Sequence, residues 1–226
     1  MNLLLFGPNG SGKGTQGAIL QKEFSVPHIE TGVIFRKNIL GITDIGRRAK
    51  EYINRGELVP DDITIPMIMN RIKKATFGSG WLLDGFPRNL TQAKALYRTL
   101  EKERIYLDFV IQIVLDRDTA KKRIMGRRIC MSDNNHPNNI YIDGVKPTEK
   151  DGKLVCRVCG CATLGMRADD QDEGAIDKRL SIYFNTKRGT LAAVNYFKTR
   201  MKVNEVYSLS RVEETSKNLM KVLVYS

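Results

Sequence analysis

Long apolar runs are missing from this 226-residue chain, and its longest ones span only a few residues, such as Leu3-Leu4-Leu5-Phe6. A membrane-spanning helix needs about 20 consecutive apolar residues, so we expect no such helix. The N-terminus also lacks the basic segment that precedes the apolar part of a signal peptide. These absences predict a soluble, cytoplasmic protein.

Cysteine is scarce, and its placement is uneven. The four cysteines all lie between positions 130 and 161. Disulfides that hold a secreted fold together are usually spread along the chain, so we do not expect a disulfide framework. A cluster of this kind favours a local metal site.

The composition is that of an ordinary globular protein, with 42% hydrophobic and 27% charged residues. Lysine and arginine exceed the acidic residues by enough to give a formal net charge of +12. Such a charge attracts anions, whether nucleic acid, acidic lipid or small phosphates. Many arginines stand singly beside glycines and acids, which favours a phosphate-lined cleft over a lysine-rich tail.

Short apolar segments alternate with helical patterns, which predicts an α/β fold with a mostly parallel sheet covered on both faces. We predict strands at 3–6, 26–29, 81–84, 109–115 and 206–209. We predict helices at 13–23, 91–101, 118–128, 172–200 (interrupted near Gly189) and 213–224. A further helix is predicted to begin near Thr31, which is a good N-cap residue. Between Cys130 and Gly165 the alternation stops, and short strands at 139–142 and 153–155 predict a small inserted subdomain.

The strongest motif is the glycine-rich run from Gly7 to Thr15, between the first strand and the first helix. This context is typical of a phosphate-binding loop, in which backbone N–H groups surround a phosphate at a helix N-terminus. Lys13 adds a full positive charge for the outer phosphates. The motif departs from its usual form because Gly14 follows the lysine and Thr15 comes one position later.

A second motif, Asp84-Gly85-Phe86-Pro87-Arg88, follows a predicted buried strand. A carboxylate at the carboxyl end of a strand can hold Mg²⁺ directly or through water. Arg88 can bind a phosphate with two parallel hydrogen bonds. Together with the glycine loop, these residues predict chemistry on a nucleoside triphosphate.

In these motifs and their order the chain resembles the adenylate kinase family, in its form with a long lid, up to about Leu191. The resemblance rests on 7–15, Thr31-Gly32 with Arg36, 56–61, 84–88 with Gln92, 123–128, and 167–170 with Arg179. It implies the P-loop nucleoside monophosphate kinase fold, with a five-stranded parallel sheet and two insertions. It further implies a core of residues 1–29, 60–125 and 171–226, an AMP-binding segment at 30–59 and a lid at 126–170.

The resemblance also implies roles for individual residues. The ATP-binding residues are Gly10, Ser11, Gly12, Lys13, Gly14, Thr15, Arg123 and Arg127. The AMP-binding residues are Thr31, Arg36, Glu57, Leu58, Val59, Gly85, Phe86, Arg88, Gln92, Arg167 and Arg179. The catalytic residues are Lys13, Asp84, Arg88, Arg127, Arg167 and Arg179, with Asp84 ordering Mg²⁺ through water.

The implied reaction is reversible, Mg²⁺-dependent phosphoryl transfer from ATP to AMP, giving two ADP. Gln92 favours AMP, since related pyrimidine monophosphate kinases typically have asparagine there. The segment Ser208-Leu209-Ser210-Arg211-Val212 replaces the Asp-Gly turn of relatives near the donor base, so GTP stays open as a donor. The resemblance implies a monomer, and we expect neither nucleic acid nor a membrane as a partner.

The lid cysteines form a metal-knuckle pattern, Cys156-Arg157-Val158-Cys159. Cys130 lies at the other end of the insertion, so a bound ion would join its two ends. The candidates for the fourth ligand are His136, Cys161 and Asp133. His136 is favoured because its spacing from Cys130 resembles the Cys/His arrangement in some metal-binding adenylate kinases. Three thiolates and an imidazole suit structural Zn²⁺, and Fe²⁺ or Co²⁺ fit the same cage.

Two other functions compete with this interpretation. One is a GTP:AMP kinase or a pyrimidine monophosphate kinase. The other is a nucleic-acid-binding P-loop protein in which the cysteine knuckle is a zinc ribbon. That hypothesis explains the positive charge but gives Asp84, Arg88 and Gln92 no role, and the sequence has no basic stripe with interleaved aromatic residues.

Overall fold

Strands and helices alternate over much of the chain as predicted, but three helices in a row follow the second strand, and two of them (Asp44–Asn54 and Asp61–Thr76) were not predicted. The computed structural model describes residues 1–76, 80–133, 136–161 and 164–224, so small parts of the predicted core (77–79 and 225–226) and of the predicted lid (134–135 and 162–163) lie outside the described residues. The elements are β1 (Asn2–Phe6), α1 (Lys13–Phe24), β2 (His28–Glu30), α2 (Thr31–Leu40), α3 (Asp44–Asn54), α4 (Asp61–Thr76), β3 (Trp81–Asp84), α5 (Leu90–Lys102), β4 (Phe109–Val114), α6 (Arg117–Gly126), β5 (Arg127–Cys130), β6 (Pro137–Asn139), β7 (Thr148–Lys150), β8 (Lys153–Val155), β9 (Leu164–Gly165), α7 (Glu173–Phe184), α8 (Thr190–Lys198), β10 (Val203–Tyr207) and α9 (Val212–Val224).

The central sheet has five parallel strands in the order β10-β4-β1-β3-β2. Strand β1 is its middle strand, and Leu4 pairs with Leu83 of β3 and with Val110 of β4. The predicted five-stranded parallel sheet is therefore confirmed. Its parallel arrangement brings the carboxyl ends of β1, β2 and β3 to one edge, where the glycine loop and Asp84 lie.

Both faces of the sheet are buried. Leu4 and Phe6 pack in one core cluster with Trp81, while Leu3 and Leu5 pack in a second cluster on the opposite face. Because helices cover both faces, β1 is apolar along its whole length instead of alternating with polar residues. This packing fixes the strand end from which the glycine loop departs.

Two predicted helix features were wrong. The helix predicted to continue to about Arg128 ends at Gly126, because Arg127 begins β5 and pairs with Asn139 of β6. Thr31 was predicted as an N-cap, but it is the first residue of α2, and its hydroxyl donates to the carbonyl of Asp84 at 3.2 Å. In both places a tertiary contact overrides the local preference.

The insertion between α6 and α7 is a separate small β subdomain, as predicted. Strands β6, β5 and β9 form an antiparallel sheet, and β7 pairs with β8 in a hairpin. The predicted strand at 139–142 lies earlier, at Pro137–Asn139, because the amide of Ile140 turns back to bond the carbonyl of Gly126. Within the described residues, none of the helices combines the length and apolarity that a membrane crossing requires.

Candidate active site

The glycine loop passes from β1 into α1 with its backbone in conformations that favour glycine. Gly10 and Gly12 have φ near +86° and +85°, and Gly12 is the N-cap of α1. A Cβ at Gly10 would also lie 2.7 Å from the carbonyl oxygen of Ala120. The sequence therefore places backbone N–H groups and the positive end of a helix at the floor of a cavity.

Lys13 is half-buried in this loop. Its Nζ donates to the carbonyl of Pro8 at 3.0 Å. Burial lowers the pKa of Lys13 from 10.5 to about 8, with the negative charge of Asp84 opposing the effect. An ammonium group that is partly removed from water at the N-terminus of a helix is well suited to bind a phosphate.

Asp84 ends β3 and lies in the interior, 4% exposed. Burial would raise the pKa of Asp84, but Lys13 and His28 lower it overall, so its carboxyl group is ionised. His28 Nε2 lies 3.7 Å from Asp84 Oδ2. Sequence reasoning gave His28 no role.

Arg88 follows the turn after β3 and is held by three contacts. Its Nε donates to the carbonyl of Gly85 at 2.9 Å, its backbone N–H donates to Gln92 Oε1 at 2.7 Å, and its carbonyl accepts from Thr190 at 3.1 Å. Burial lowers the pKa of Arg88. The contacts fix the guanidinium group without neutralising it.

The amide group of Gln92 is oriented by its neighbours. Its Oε1 accepts from the Arg88 backbone, and its Nε2 donates to Asp61 Oδ1 at 2.7 Å. A side-chain amide has two donors and two acceptor lone pairs, so one of each is left for a ligand. Asp61, which fixes this orientation, was not predicted as a site residue.

Three arginines from the lid and α7 converge with two aspartates. Arg127 makes two hydrogen bonds to Asp170, both at 2.8 Å, and Arg179 binds Asp169 Oδ2 at 2.5 Å and Asp170 Oδ1 at 3.0 Å. Arg167 Nε is buried without a hydrogen-bond partner. Burial and the neighbouring Arg127 lower the pKa of Arg167 to about 9. The cluster therefore holds a cation that an anion would stabilise.

The segment predicted to bind AMP contributes side chains from α2 and from the turn after α3. Arg36 pairs with Glu30 at 3.0 Å. Glu57 turns its carboxylate to Lys178 of α7 at 2.5 Å and to Arg55 at 3.1 Å. The carboxylate of Glu57 is thus engaged in ion pairs within the protein.

Arg123 of α6 contacts the loop that follows β10. Its guanidinium group donates to Ser208 Oγ at 2.6 Å and to the carbonyl of Leu209 at 3.2 Å. Ser208 in turn donates to the carbonyl of Ser11 at 2.9 Å. The Ser208–Leu209 segment, which departs from the expected Asp-Gly turn, therefore joins the glycine loop to Arg123.

One cavity of about 270 Å³ brings these residues together. Of the predicted nucleotide-binding and catalytic residues, those lining it are Gly10, Ser11, Gly12, Lys13, Gly14, Thr15, Thr31, Arg36, Glu57, Leu58, Val59, Asp84, Gly85, Arg88, Gln92, Arg123, Arg127, Arg167 and Arg179. Phe86 is not among the lining residues, because its ring packs in the core at 1% exposed. Glu30 lines the cavity too but was missed, since its contacts depend on strand pairing.

The predicted metal ligands of the lid also come together. One ligand atom from each of Cys130, His136, Cys156 and Cys159 lies within 4.8 Å of all the others. Cys130 Sγ is 3.6 Å from Cys159 Sγ, and His136 Nδ1 is 3.7 Å from Cys156 Sγ. Atoms at these separations can all reach one ion at roughly 2.1–2.3 Å.

The pKa values of two lid thiols are shifted by their surroundings, in opposite directions. Burial would raise the pKa of Cys156, but the backbone N–H of Cys159 and the Asn138 amide lower it to about 6. The backbone N–H of Cys161 would lower the pKa of Cys159, but burial and the neighbouring thiols raise it to about 12. Cys156 is therefore readily ionised, and a bound cation would favour the ionised form of Cys159 as well.

The two alternative ligands lie next to this group. Cys161 Sγ is 3.3 Å from Cys130 Sγ, and Asp133 Oδ2 is 3.6 Å from His136 Nε2. Neither belongs to the set of four whose ligand atoms are all mutually close. Asp133 occupies the place of a carboxylate that orients a metal-bound imidazole from its far nitrogen.

Comparison with known proteins agrees with the fold and the cavity. The adenylate kinase family model matches residues 5–202. This chain belongs to the adenylate kinase family. One similar curated protein is the adenylate kinase of Desulfotalea psychrophila, which is 58% identical over 98% of this chain and 99% of the relative. The adenylate kinase of Desulfosudis oleivorans is 62% identical over 88% of this chain and 86% of the relative. The adenylate kinase of Lawsonia intracellularis is 54% identical over 99% of this chain and 97% of the relative.

Family membership confirms several predictions. The fold is that of the P-loop nucleoside monophosphate kinases, and the chain is a nucleotide-binding phosphotransferase. Because adenylate kinases match it at high identity over nearly their full length, the main hypothesis holds over a pyrimidine kinase and over a nucleic-acid-binding P-loop protein. Enzymes of this family use Mg²⁺ together with ATP.

Proposed function

We propose that this chain transfers a phosphoryl group reversibly between ATP and AMP, giving two ADP. The observation that supports the proposal is that the walls of one cavity carry a phosphate-binding loop, the segment predicted to bind AMP and six further arginines. A triphosphate on the loop would point toward Arg88, and a monophosphate from the other side would meet the same cations.

On the donor side, we assign the ATP phosphates to Gly10 through Thr15 and the adenine to the face of Arg123. The hydrogen bonds from Arg123 to the Ser208–Leu209 loop support this assignment, because they hold its guanidinium plane beside the glycine loop. The backbone of this loop is the candidate for distinguishing ATP from GTP.

On the acceptor side, we assign the AMP phosphate to Arg36 and Arg88 and the adenine to Gln92. The oriented amide of Gln92 retains one N–H donor and one acceptor lone pair, which match a ring nitrogen and the exocyclic amine of adenine. Thr31, Leu58, Val59 and Gly85 would enclose the nucleotide.

Catalysis would depend on positioning and on cations. In phosphoryl transfer the charge spreads over the equatorial oxygens, and no covalent intermediate with the enzyme is required. Lys13, Arg127, Arg167 and Arg179 would surround that charge in a cavity from which water is excluded. Bound Mg²⁺ neutralises part of the phosphate charge, and the ionised, buried Asp84 would hold it through water.

We propose the segment boundaries given by the resemblance: a core of 1–29, 60–125 and 171–226, an AMP-binding segment at 30–59 and a lid at 126–170. Both insertions line the cavity, so nucleotides enter when these segments move apart. The monomeric state and the cytoplasmic location stay predictions from the sequence.

In the lid, we propose that Cys130, His136, Cys156 and Cys159 hold a structural Zn²⁺, a site that Fe²⁺ or Co²⁺ also fits. Four protein ligands would leave no open coordination position, so the ion would act on stability and not in the reaction. It would hold together a subdomain in which Cys130, Val145, Val155 and Cys156 are the only buried hydrophobic residues among those described.

The test is ADP formation from ATP and AMP by the wild type and by Lys13→Met. We expect the substitution to lower turnover by about 100- to 1,000-fold with the fold retained, since it removes one preorganised cation. Lys22→Met, an exposed lysine in the last turn of the same helix, is the matched control and should stay near wild-type activity. Near-normal activity of Lys13→Met, or faster turnover with CMP or UMP than with AMP, would contradict the proposal.

A further inference from the structure

Three potential metal ligands meet at the carboxyl ends of β2 and β3, away from the lid cysteines. Glu30 of β2 pairs in register with Asp84 of β3, and His28 lies two residues before Glu30, on the same face of the strand. One ligand atom from each of His28, Glu30 and Asp84 lies within 4.8 Å of the other two. Parallel strand pairing thus assembles an imidazole and two carboxylates at one point.

The imidazole of His28 is enclosed, and its Nε2 atom approaches Asp84 without making a hydrogen bond. Its side chain is 7% exposed, and its Nε2 atom is buried without a hydrogen-bond partner. The nearest carboxylate oxygen, Asp84 Oδ2, is 3.7 Å away, which is beyond hydrogen-bond distance. Two atoms at this separation can both bind an ion located about 2.1 Å from each.

Gly17, inside α1, provides the space for this ring. A Cβ at Gly17 would lie 2.6 Å from His28 Nε2, so any other residue would displace the imidazole. Glycine weakens a helix interior relative to alanine. The helix therefore gives up some of its own stability at the position that admits the imidazole.

The surrounding charges set limits on the occupant. The two carboxylates supply two negative charges, and Glu30 also pairs through Oε1 with Arg36 at 3.0 Å. A divalent ion balances the carboxylates, and the neighbouring cations reduce its affinity.

We propose that His28, Glu30 and Asp84 form a second metal site, which binds a first-row divalent transition ion such as Mn²⁺ when no nucleotide is present. An imidazole nitrogen in the ligand set favours such ions over Mg²⁺, which prefers oxygen ligands and water. The site goes beyond the proposed function, which assigns a metal only to Asp84 and only together with ATP.

The experiment is a titration of the nucleotide-free protein with Mn²⁺, its lid first loaded with Zn²⁺, followed by electron paramagnetic resonance. We expect one bound Mn²⁺ with a nitrogen coupling in the pulsed spectrum. His28→Gln should remove that coupling and weaken Mn²⁺ binding at least about tenfold. Gly17→Ala should do the same while keeping all three ligands. His136→Gln, which changes the only other histidine, should leave the nitrogen coupling in place, and Lys22→Met is the matched control that should leave both readouts unchanged.

Several outcomes would overturn the proposal. Failure of the wild type to bind Mn²⁺, or binding without nitrogen coupling, would show that His28 is not a ligand. Loss of the coupling in His136→Gln but not in His28→Gln would place the ion in the lid. The wild-type spectrum alone shows whether a nitrogen atom coordinates the bound Mn²⁺, so the test does not depend on the folding of the variants.

Discussion

At the residue scale, the burial of Lys13 links nucleotide binding to pH. Its pKa in the folded protein is about 8, below the ordinary 10.5. Above pH 8, therefore, the unfolded chain binds more protons at this position than the folded protein does. The contribution of Lys13 to the free energy of unfolding thus rises with pH between these two values.

Nucleotide binding should reverse this shift, because a phosphate beside Lys13 favours its charged form. We expect ATP binding above pH 8 to take up a fraction of a proton that grows as the pH rises. Calorimetry in buffers of different ionisation enthalpy measures this uptake. Phosphate groups have already lost their second proton, with a pKa of about 6, and do not contribute there.

Lys13→Met provides the control for this measurement, since it removes the group that titrates. The uptake near pH 8 should be much smaller in the variant, and it should be small in the wild type at a pH well below 8. Equal uptake by the two proteins would show that another group carries the proton.

Residues also differ in how far they could be predicted from the sequence. The glycine loop was predictable because its residues are contiguous and lie between a strand and a helix, which is the context of a phosphate-binding loop. Glu30 was not, because its position beside Asp84 arises only when β2 pairs with a strand more than 50 positions later. The orientation of Gln92 depends on Asp61 in the same nonlocal way.

At the scale of elements, the lid should depend on its metal ligands for stability. We expect His136→Ala to loosen the bound ion and to lower the melting temperature of the lid by at least about 3 °C, the shift that corresponds to roughly 1 kcal/mol in a protein of this size. The comparison is Cys161→Ala, which removes a neighbouring thiol outside the group of four. Metal content and melting curves of both variants measure the effect, and a larger loss in Cys161→Ala would assign the fourth position to Cys161.

Removal of the metal by a chelator tests what the lid element does. Stability should fall first, with activity following as the lid unfolds, because the proposed ligands saturate the ion. An apo protein that stays folded but loses activity at once would show that the ion takes part in the reaction.

The elements themselves were predicted well where burial dictates them and poorly where pairing does. The apolar runs at β1, β3 and β4 indicate strands, because both faces of the sheet are covered. In the lid, the polar strand β6 has no such signal. Its position follows from antiparallel pairing with β5, which also ends α6 at Gly126.

At the scale of the whole molecule, the positive charge and the cavity both suit the binding of two nucleotides. Two nucleotides bring several negative charges into one cleft, and the net charge of +12 helps to neutralise them. Both insertions line the cavity, so we expect the protein to be more compact with both nucleotides than with none. Small-angle X-ray scattering measures this as a smaller radius of gyration.

ATP alone and AMP alone are the controls for compaction. Each should close one segment, so the radius of gyration should fall between those of the empty and the doubly occupied protein. An unchanged radius with both nucleotides present would contradict the proposed closure.

Trp81 is the only tryptophan of the chain, and it is completely buried in β3 beneath the cleft. Its fluorescence therefore reports the melting of the central sheet but not that of the inserted flap, the lid at 126–170. Cobalt in the thiolate cage would give the flap a visible absorption of its own. One sample heated once would then yield two independent unfolding curves, one in the ultraviolet for the sheet and one in the visible for the flap.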